Sequence, residues 1–299
     1  MFEKMISEKT AQQSQQLEQW FSKHSAEHPM PDDVEVMRDI DYMGDGAKCH
    51  MMDVYRPKAA GGVLPVLFNI HGGGFLLGRK EVNSLFCADM AQRGFVVICP
   101  EYPLVPDKNV FGILRSLTAA VNFAAAHFAE YGADAGRVYL SGDSAGAWLC
   151  TYLAAIKNCA EIAEAAGAEP VSVEIEALGL ISGMFYTRKL DEVGIFLPKL
   201  IYGADWRKSA FRPFMDPENE KLLRSLPRAM LITADGDFLR HYSRSFAAAL
   251  TRAGAKCELY DVTADRKLPH AFSALLPEYP ESQEANALLA SFLLGTEKL

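Results

Sequence analysis

The chain has 299 residues, with 30 Lys plus Arg against 38 Asp plus Glu and a formal net charge of −8. Apolar residues make up 49% and charged residues 23%, an ordinary globular composition that excludes disordered, collagen-like and coiled-coil classes. The acidic balance argues against sequence-independent binding to nucleic acid or to an anionic membrane, since both need a basic field. A chain this long buries about three-quarters of its unfolded surface, so neither metal nor disulfide staples are needed for folding, and it forms one large domain or two.

Residues 2–27 carry Phe2, Met5, Ile6, Leu17, Trp20 and Phe21 among Gln and charged residues. That spacing predicts one or two amphipathic helices, ended by Pro29 and Pro31. The first ten residues are too charged for a signal-peptide core, and no apolar run approaches the ~18 residues that span a bilayer. His24-Ser-Ala-Glu-His28 matches H-x-x-E-H, a zinc-protease pattern. Pro29 follows at once and no Glu-rich partner helix is evident, so the stretch reads as a solvated helix end and no metal is expected. Segments 34–42 and 50–55, separated by Gly44-Asp-Gly46, read as a hairpin.

Compact apolar runs then alternate with helical patterns. The runs are 63–70, 95–99, 137–140, 177–181, 229–233 and 257–262; helices are expected near 82–93, 112–130, 146–165, 239–253 and 282–294. Short runs that are apolar on both faces and separated by helices indicate an α/β fold, a mostly parallel sheet covered on both sides. No linker or internal repeat divides it. Residues 186–212 break the rhythm with aromatics and scattered charge and read as an insertion over one edge of the sheet. A single α/β domain is expected. The cysteines Cys49, Cys87, Cys99, Cys150, Cys159 and Cys257 form no C-x-x-C pair and read as buried reduced thiols of a cytoplasmic protein.

Two glycine-rich motifs carry the chemistry. His71-Gly-Gly-Gly74 follows an expected strand, and its successive N–H groups, free of Cβ obstruction, suit an anion-binding loop. Gly142-Asp-Ser-Ala-Gly146 lies between an expected strand and helix, where a serine on a tight turn is lifted clear of the sheet. Together, the loop and the N–H after Ser144 would build an oxyanion hole, each donor worth about 2.7–4 kcal/mol in a transition state. A serine hydroxyl needs a base. Of seven histidines, His270 alone lies on a loop after the last expected strand and before the final helix. The orienting acid falls between nucleophile and base in chain order, where Asp235 and Asp237 share one loop. Asp237 is favoured, with a helix N-cap as its competing use.

These residues resemble the hormone-sensitive-lipase-like branch of the α/β-hydrolases. The resemblance runs from about Pro65 to His270 and includes His71-Gly-Gly-Gly74, Glu101-Tyr-Pro-Leu-Val-Pro-Asp107, Gly142-Asp-Ser-Ala-Gly146, Asp237-Phe-Leu-Arg240 and Pro269-His270-Ala-Phe272. It implies the α/β-hydrolase fold with a helical cap at about 1–36 and 186–212. It also implies a carboxylic-ester hydrolase with a Ser144, Asp237 and His270 triad, and oxyanion donors at Gly73, Gly74 and Ala145. No cofactor is implied. Glu101 and Pro103 stand where the family has Asp and Arg, and Phe238 where it has Pro. Phe185, Tyr186, Phe196, Tyr202 and Trp206 would line an apolar pocket or form the core of the cap. Expected substrates are short-to-medium acyl esters; an amidase, formamidase or carbohydrate deacetylase would use the same triad, and a non-catalytic ligand-binding member is a more distant alternative. The expected partner is a small-molecule ester, with no nucleic acid and no stable membrane insertion, and a homodimer is left open.

Overall fold

Alternation of side chains along eight strands decides how the sheet is covered. A computed structural model describes residues 2–189 and 197–296. Among these residues the strands are β1 (Val34–Asp41), β2 (Met51–Pro57), β3 (Leu64–Ile70), β4 (Val96–Pro100), β5 (Ala133–Asp143), β6 (Ala177–Ile181), β7 (Arg228–Ala234) and β8 (Cys257–Val262). They form one sheet in the order β1-β2-β4-β3-β5-β6-β7-β8. β1 pairs antiparallel with β2, and β2 with β4; all remaining neighbours are parallel.

Val66, Phe68 and Ile70 of β3 join one buried cluster with Leu117, Trp148 and Phe246, from helices Val110–Ala126, Ala145–Asn158 and Arg240–Arg252. Leu67 between them joins the opposite cluster with Phe86, Leu289 and Leu293, from helices Ser84–Gln92 and Pro280–Leu294. Both faces are therefore dry, which is why these strands read as continuous apolar runs. Asn109 caps helix Val110–Ala126, its side chain accepting from Gly112 N at 3.1 Å.

The expected hairpin and strands are present, with β5 longer than expected at both ends. Residues 2–27 form one helix, Phe2–Glu27. The expected helix at 112–130 is two, Val110–Ala126 and Phe128–Tyr131, and that at 146–165 breaks at Cys159 into Ala145–Asn158 and Ala160–Ala166. The irregular stretch holds helix Leu197–Tyr202 and two single-turn elements at Trp206–Lys208 and Arg212–Met215. Phe196 lies outside the described residues. Phe185 stacks on Phe246 at 4.2 Å, and Tyr202 packs among Phe111, Trp148 and Phe211, so these two aromatics are core. All six cysteines are free, but only Cys87, Cys99 and Cys150 are buried; Cys49, Cys159 and Cys257 are half-buried, a correction to the expectation for all six. No helix among the described residues is long and apolar enough to cross a membrane.

The parallel register sets the site. Ile70 pairs with Gly142, Asp143 with Ile181, Ile181 with Ile232, and Ala234 with Val262. The carboxyl ends of β3, β5, β6, β7 and β8 thus lie along one edge, where ligand sites of open α/β sheets form.

Candidate active site

Ser144 sits between β5 and helix Ala145–Asn158 with φ 53° and ψ −114°, a conformation that non-glycine residues rarely adopt. Its N–H donates to Ile181 O at 2.8 Å, and its carbonyl accepts from Met184 N at 3.0 Å, so the strained turn is held by the loop after β6. The turn requires glycine at 146: a Cβ there would lie 1.9 Å from Ile70 O, so only a bare backbone lets the helix pass β3. Ser144 is 8% exposed, and its hydroxyl has no hydrogen-bond partner among the described residues.

Asp143, buried beside it, fastens the other glycine motif. Its Oδ1 accepts from Gly72 N at 3.0 Å and from Asn83 Nδ2 at 2.7 Å. Burial raises the Asp143 carboxyl above its ordinary range, against the pull of these donors and of His270 and His71. Gly73 has φ 113°, and a Cβ on it would strike Leu77 O at 1.8 Å; its carbonyl accepts from Leu76 N and Leu77 N, which closes the loop. The N–H groups of Gly73 and Gly74 have no acceptor among the described residues, and that of Ala145, first in its helix, has none within the helix. Three donors on two adjoining loops are thereby free for an anion.

His71 is spent on loop geometry. Its Nδ1 faces Gly72 O at 2.8 Å and its Nε2 faces Glu101 Oε1 at 3.0 Å, while Tyr102 stacks on the ring at 4.2 Å and donates its hydroxyl to His71 O at 2.7 Å. Burial alone lowers its pKa, but the charge and hydrogen bond of Glu101 more than offset this, and the pKa is raised. Both ring nitrogens face acceptors, which is the geometry of an imidazolium. Glu101 also accepts from Lys80 N at 2.9 Å and from Tyr102 N at 3.2 Å, so the longer acid in place of the family's Asp reaches three partners.

His270 and Asp237 meet: Nδ1 lies 2.6 Å from Oδ1. Asp237 follows β7 and is buried; Leu239 N donates to the same Oδ1 at 2.8 Å, and Thr233 Oγ1 to Oδ2 at 2.7 Å. Burial raises the Asp237 pKa, but the hydrogen bond and charge of His270 with the two further donors prevail, and it is lowered. The helix after this loop starts at Arg240, so the carboxylate serves the loop and the histidine. Asp235 is held through its backbone N–H to Val262 O at 3.0 Å, and its Oδ1 is buried without a partner. The ring of Phe238, 64% exposed, lies 4.4 Å from that of His270.

Ser182 was not distinguishable in the sequence, yet it joins the two halves of the site. It is buried with φ 49°, its N–H donates to Ile232 O at 2.7 Å, and its Oγ accepts from Ala271 N at 3.0 Å, next to His270. Thr233 and Asn83 likewise carried no sequence signal; both act through carboxylates of the motifs. The H-x-x-E-H stretch is not a solvated helix end: His24 is 9% exposed and both histidines face Glu278.

Residues 67–274 match the family described as alpha/beta hydrolase fold. The chain is 29% identical over 238 residues to a probable isoprenylcysteine alpha-carbonyl methylesterase of Arabidopsis thaliana, covering 75% of this chain and 49% of that protein. It is 26% identical over 227 residues to the carboxylesterase NlhH of Mycobacterium tuberculosis, covering 72% and 69%. The chain spans about half the length of the plant relatives it matches. Its backbone is similar to that of esterase B from Lactobacillus rhamnosis, with a TM-score of 0.90 at 23% identity over 98% of this chain and 95% of that one. A hyperthermophilic esterase from Pyrobaculum calidifontis gives a TM-score of 0.70 at 22% identity, over 96% and 93%. The matched residues span both glycine motifs, the Asp237 loop and His270, and the chain belongs to the alpha/beta hydrolase fold family, in its hormone-sensitive-lipase and carboxylesterase-like branch.

Proposed function

We propose that this protein is a serine carboxylesterase acting on short-to-medium acyl esters through a covalent acyl-enzyme. The observation that carries the proposal is the contact of His270 Nδ1 with Asp237 Oδ1 at 2.6 Å, on the same sheet edge as the strained Ser144 turn and the unpaired N–H groups of Gly73, Gly74 and Ala145. Relatives named as a methylesterase and a carboxylesterase support ester bonds as the substrate class.

Ser144 Oγ attacks the ester carbonyl as His270 Nε2 takes its proton, and the carbonyl π electrons move onto oxygen. The oxyanion is held by the three backbone donors. Collapse re-forms the carbonyl and breaks the bond to the alcohol oxygen, which leaves with the proton from His270. Water then repeats the cycle: His270 takes its proton, hydroxide adds to the acyl carbon, and Ser144 departs reprotonated, leaving the carboxylic acid. Asp237 fixes Nδ1 as the protonated nitrogen and stabilises the transient imidazolium. No cofactor takes part. We place the chain as a single domain whose cap elements, about 1–36 and 186–212, select the acyl and alcohol groups.

The test is a panel of chromogenic esters of rising acyl length, with anilides and acetylated sugars beside them, run on wild type and Ser144→Ala. Saturable hydrolysis of the shorter esters, lost in the variant, is expected. Equal activity in the variant, or preference for anilides or acetylated sugars, would overturn the reading.

A further inference from the structure

Helix Phe2–Glu27 ends in a pair of imidazoles one turn apart that the catalytic reading does not use. His24 and His28 are related by i, i+4, and His28 N donates to His24 O at 2.9 Å, so the helical turn carries through to the second ring. Their ring centroids are 4.7 Å apart. Glu278, from the link between helices Phe272–Leu275 and Pro280–Leu294, comes to meet both. Its Oε2 is 3.5 Å from His24 Nε2, its Oε1 is 3.9 Å from His28 Nε2, and the three donor groups lie within 4.8 Å of one another.

One further observation separates this cluster from an ordinary ion pair. His24 Nε2 and Glu278 Oε2 are buried atoms with no hydrogen-bond partner. At 3.5 Å they face each other unbonded, which costs about 1–3 kcal/mol per group if nothing lies between them. A tetrahedral zinc ion with bonds of about 2.05 Å holds its ligand atoms roughly 3.3 Å apart, against 3.5 and 3.9 Å for the two separations from Glu278.

We propose that His24, His28 and Glu278 bind one divalent transition-metal ion, zinc by ligand type, with water in the fourth position. Two imidazoles and one carboxylate are a borderline N/O set suited to zinc rather than to calcium or magnesium, which take oxygen. Trp20 stacks on His24 at 4.8 Å with 14° between planes, which fixes the ring. The acid within the H-x-x-E-H pattern, Glu27, is instead exposed and paired with Lys23 at 3.9 Å, so no general base stands beside the ion. The site is therefore a clamp rather than a hydrolytic centre. It ties the N-terminal helix to the segment just after His270, joining two ends of the chain some 250 residues apart. The proposal departs from the expectation, from the sequence, of no metal.

The test uses the full chain, treated with chelator and titrated with cobalt chloride as a visible probe and zinc chloride as competitor, beside Glu278→Gln and His28→Ala. One Co²⁺ per chain is expected, with d–d absorption of tetrahedral intensity abolished by one equivalent of Zn²⁺. Each variant should bind at least about 100-fold more weakly. Zinc at a hundredfold excess over its dissociation constant should raise the unfolding midpoint of wild type by roughly 5 °C and leave the variants unmoved. Far-UV circular dichroism of the metal-free proteins verifies folding; if one variant is unfolded, the other is read. No saturable binding at one ion per chain, or wild-type affinity in a folded variant, overturns the proposal. Ester hydrolysis is measured in parallel, and its loss or retention bears on the catalytic reading alone.

Discussion

Replacing Asp237 by Asn separates the charge of the orienting acid from its geometry. Oδ1 of Asp237 accepts two hydrogen bonds, from His270 Nδ1 and from Leu239 N at 2.8 Å, while Oδ2 faces the Thr233 hydroxyl. The backbone N–H of Leu239 demands an oxygen at that position, so an Asn side chain should keep its carbonyl toward His270 and its amide toward Thr233, whose hydroxyl can accept. The productive tautomer of His270 is then retained and only the charge is lost. A unit charge pair about 4 Å apart in an effective dielectric near 20 is worth about 4 kcal/mol. At about 1.4 kcal/mol per factor of ten, kcat/KM should fall about 10³-fold, less than where the wrong tautomer is also selected. Asp235→Asn should change it by less than about threefold, because the Asp235 side-chain Oδ1 has no partner to lose. Initial rates on a short chromogenic ester, on the plateau of the pH–rate profile, measure both. A larger loss from Asp235→Asn than from Asp237→Asn would refute the assignment, and a 10⁵-fold loss from Asp237→Asn would refute the claim that Leu239 preserves the tautomer.

Ser182→Ala leaves the N–H of Ala271 without its acceptor and should lower kcat about tenfold with KM little changed, since His270 is displaced while the rest of the site is untouched; steady-state kinetics checks this. Gly146→Ala forces a methyl to 1.9 Å from Ile70 O and should cost at least about 3 kcal/mol, seen as a lower denaturation midpoint; Gly61→Ala, with open space around it, should stay within about 0.5 kcal/mol. The folded pKa of His71 is raised, so its stabilisation is fully present below the unfolded value near 6.5 and is lost as pH rises through the folded value. Glu101→Gln should therefore destabilise by roughly 1.5–3 kcal/mol at pH 6, and the gap to wild type should shrink as pH rises through that folded value; urea melts across pH measure it. Asp237 has the opposite sign: its lowered pKa contributes stability above about pH 4 that fades on acidification through the folded value.

Much of the site was legible because its parts are short-range. Gly142-Asp-Ser-Ala-Gly146 and His71-Gly-Gly-Gly74 owe their residues to local sterics, a backbone approach too close to admit a Cβ and a positive φ, which leave marks in adjacent positions. The strands were legible because both sheet faces are buried and apolar runs follow. Legibility ended where contact is distant. Nothing near Ser182 announces its bond to Ala271, 89 positions on, and nothing near His24 announces Glu278. The early part of β5 is masked by exposed Gly136 and Arg137, and the helix break at Cys159 has no glycine or proline to signal it.

Asp143 has a consequence for how such a site can be altered or transplanted. One carboxylate fastens a loop 71 positions earlier to the turn that bears Ser144, so the two segments form a single heritable unit. A substitution tolerated in either is tolerated only against the present partner, and drift in one constrains drift in the other. A graft of the five-residue serine turn into another scaffold would import a strained hydroxyl without its anion cradle. The glycine loop must travel with it, and so must Asn83.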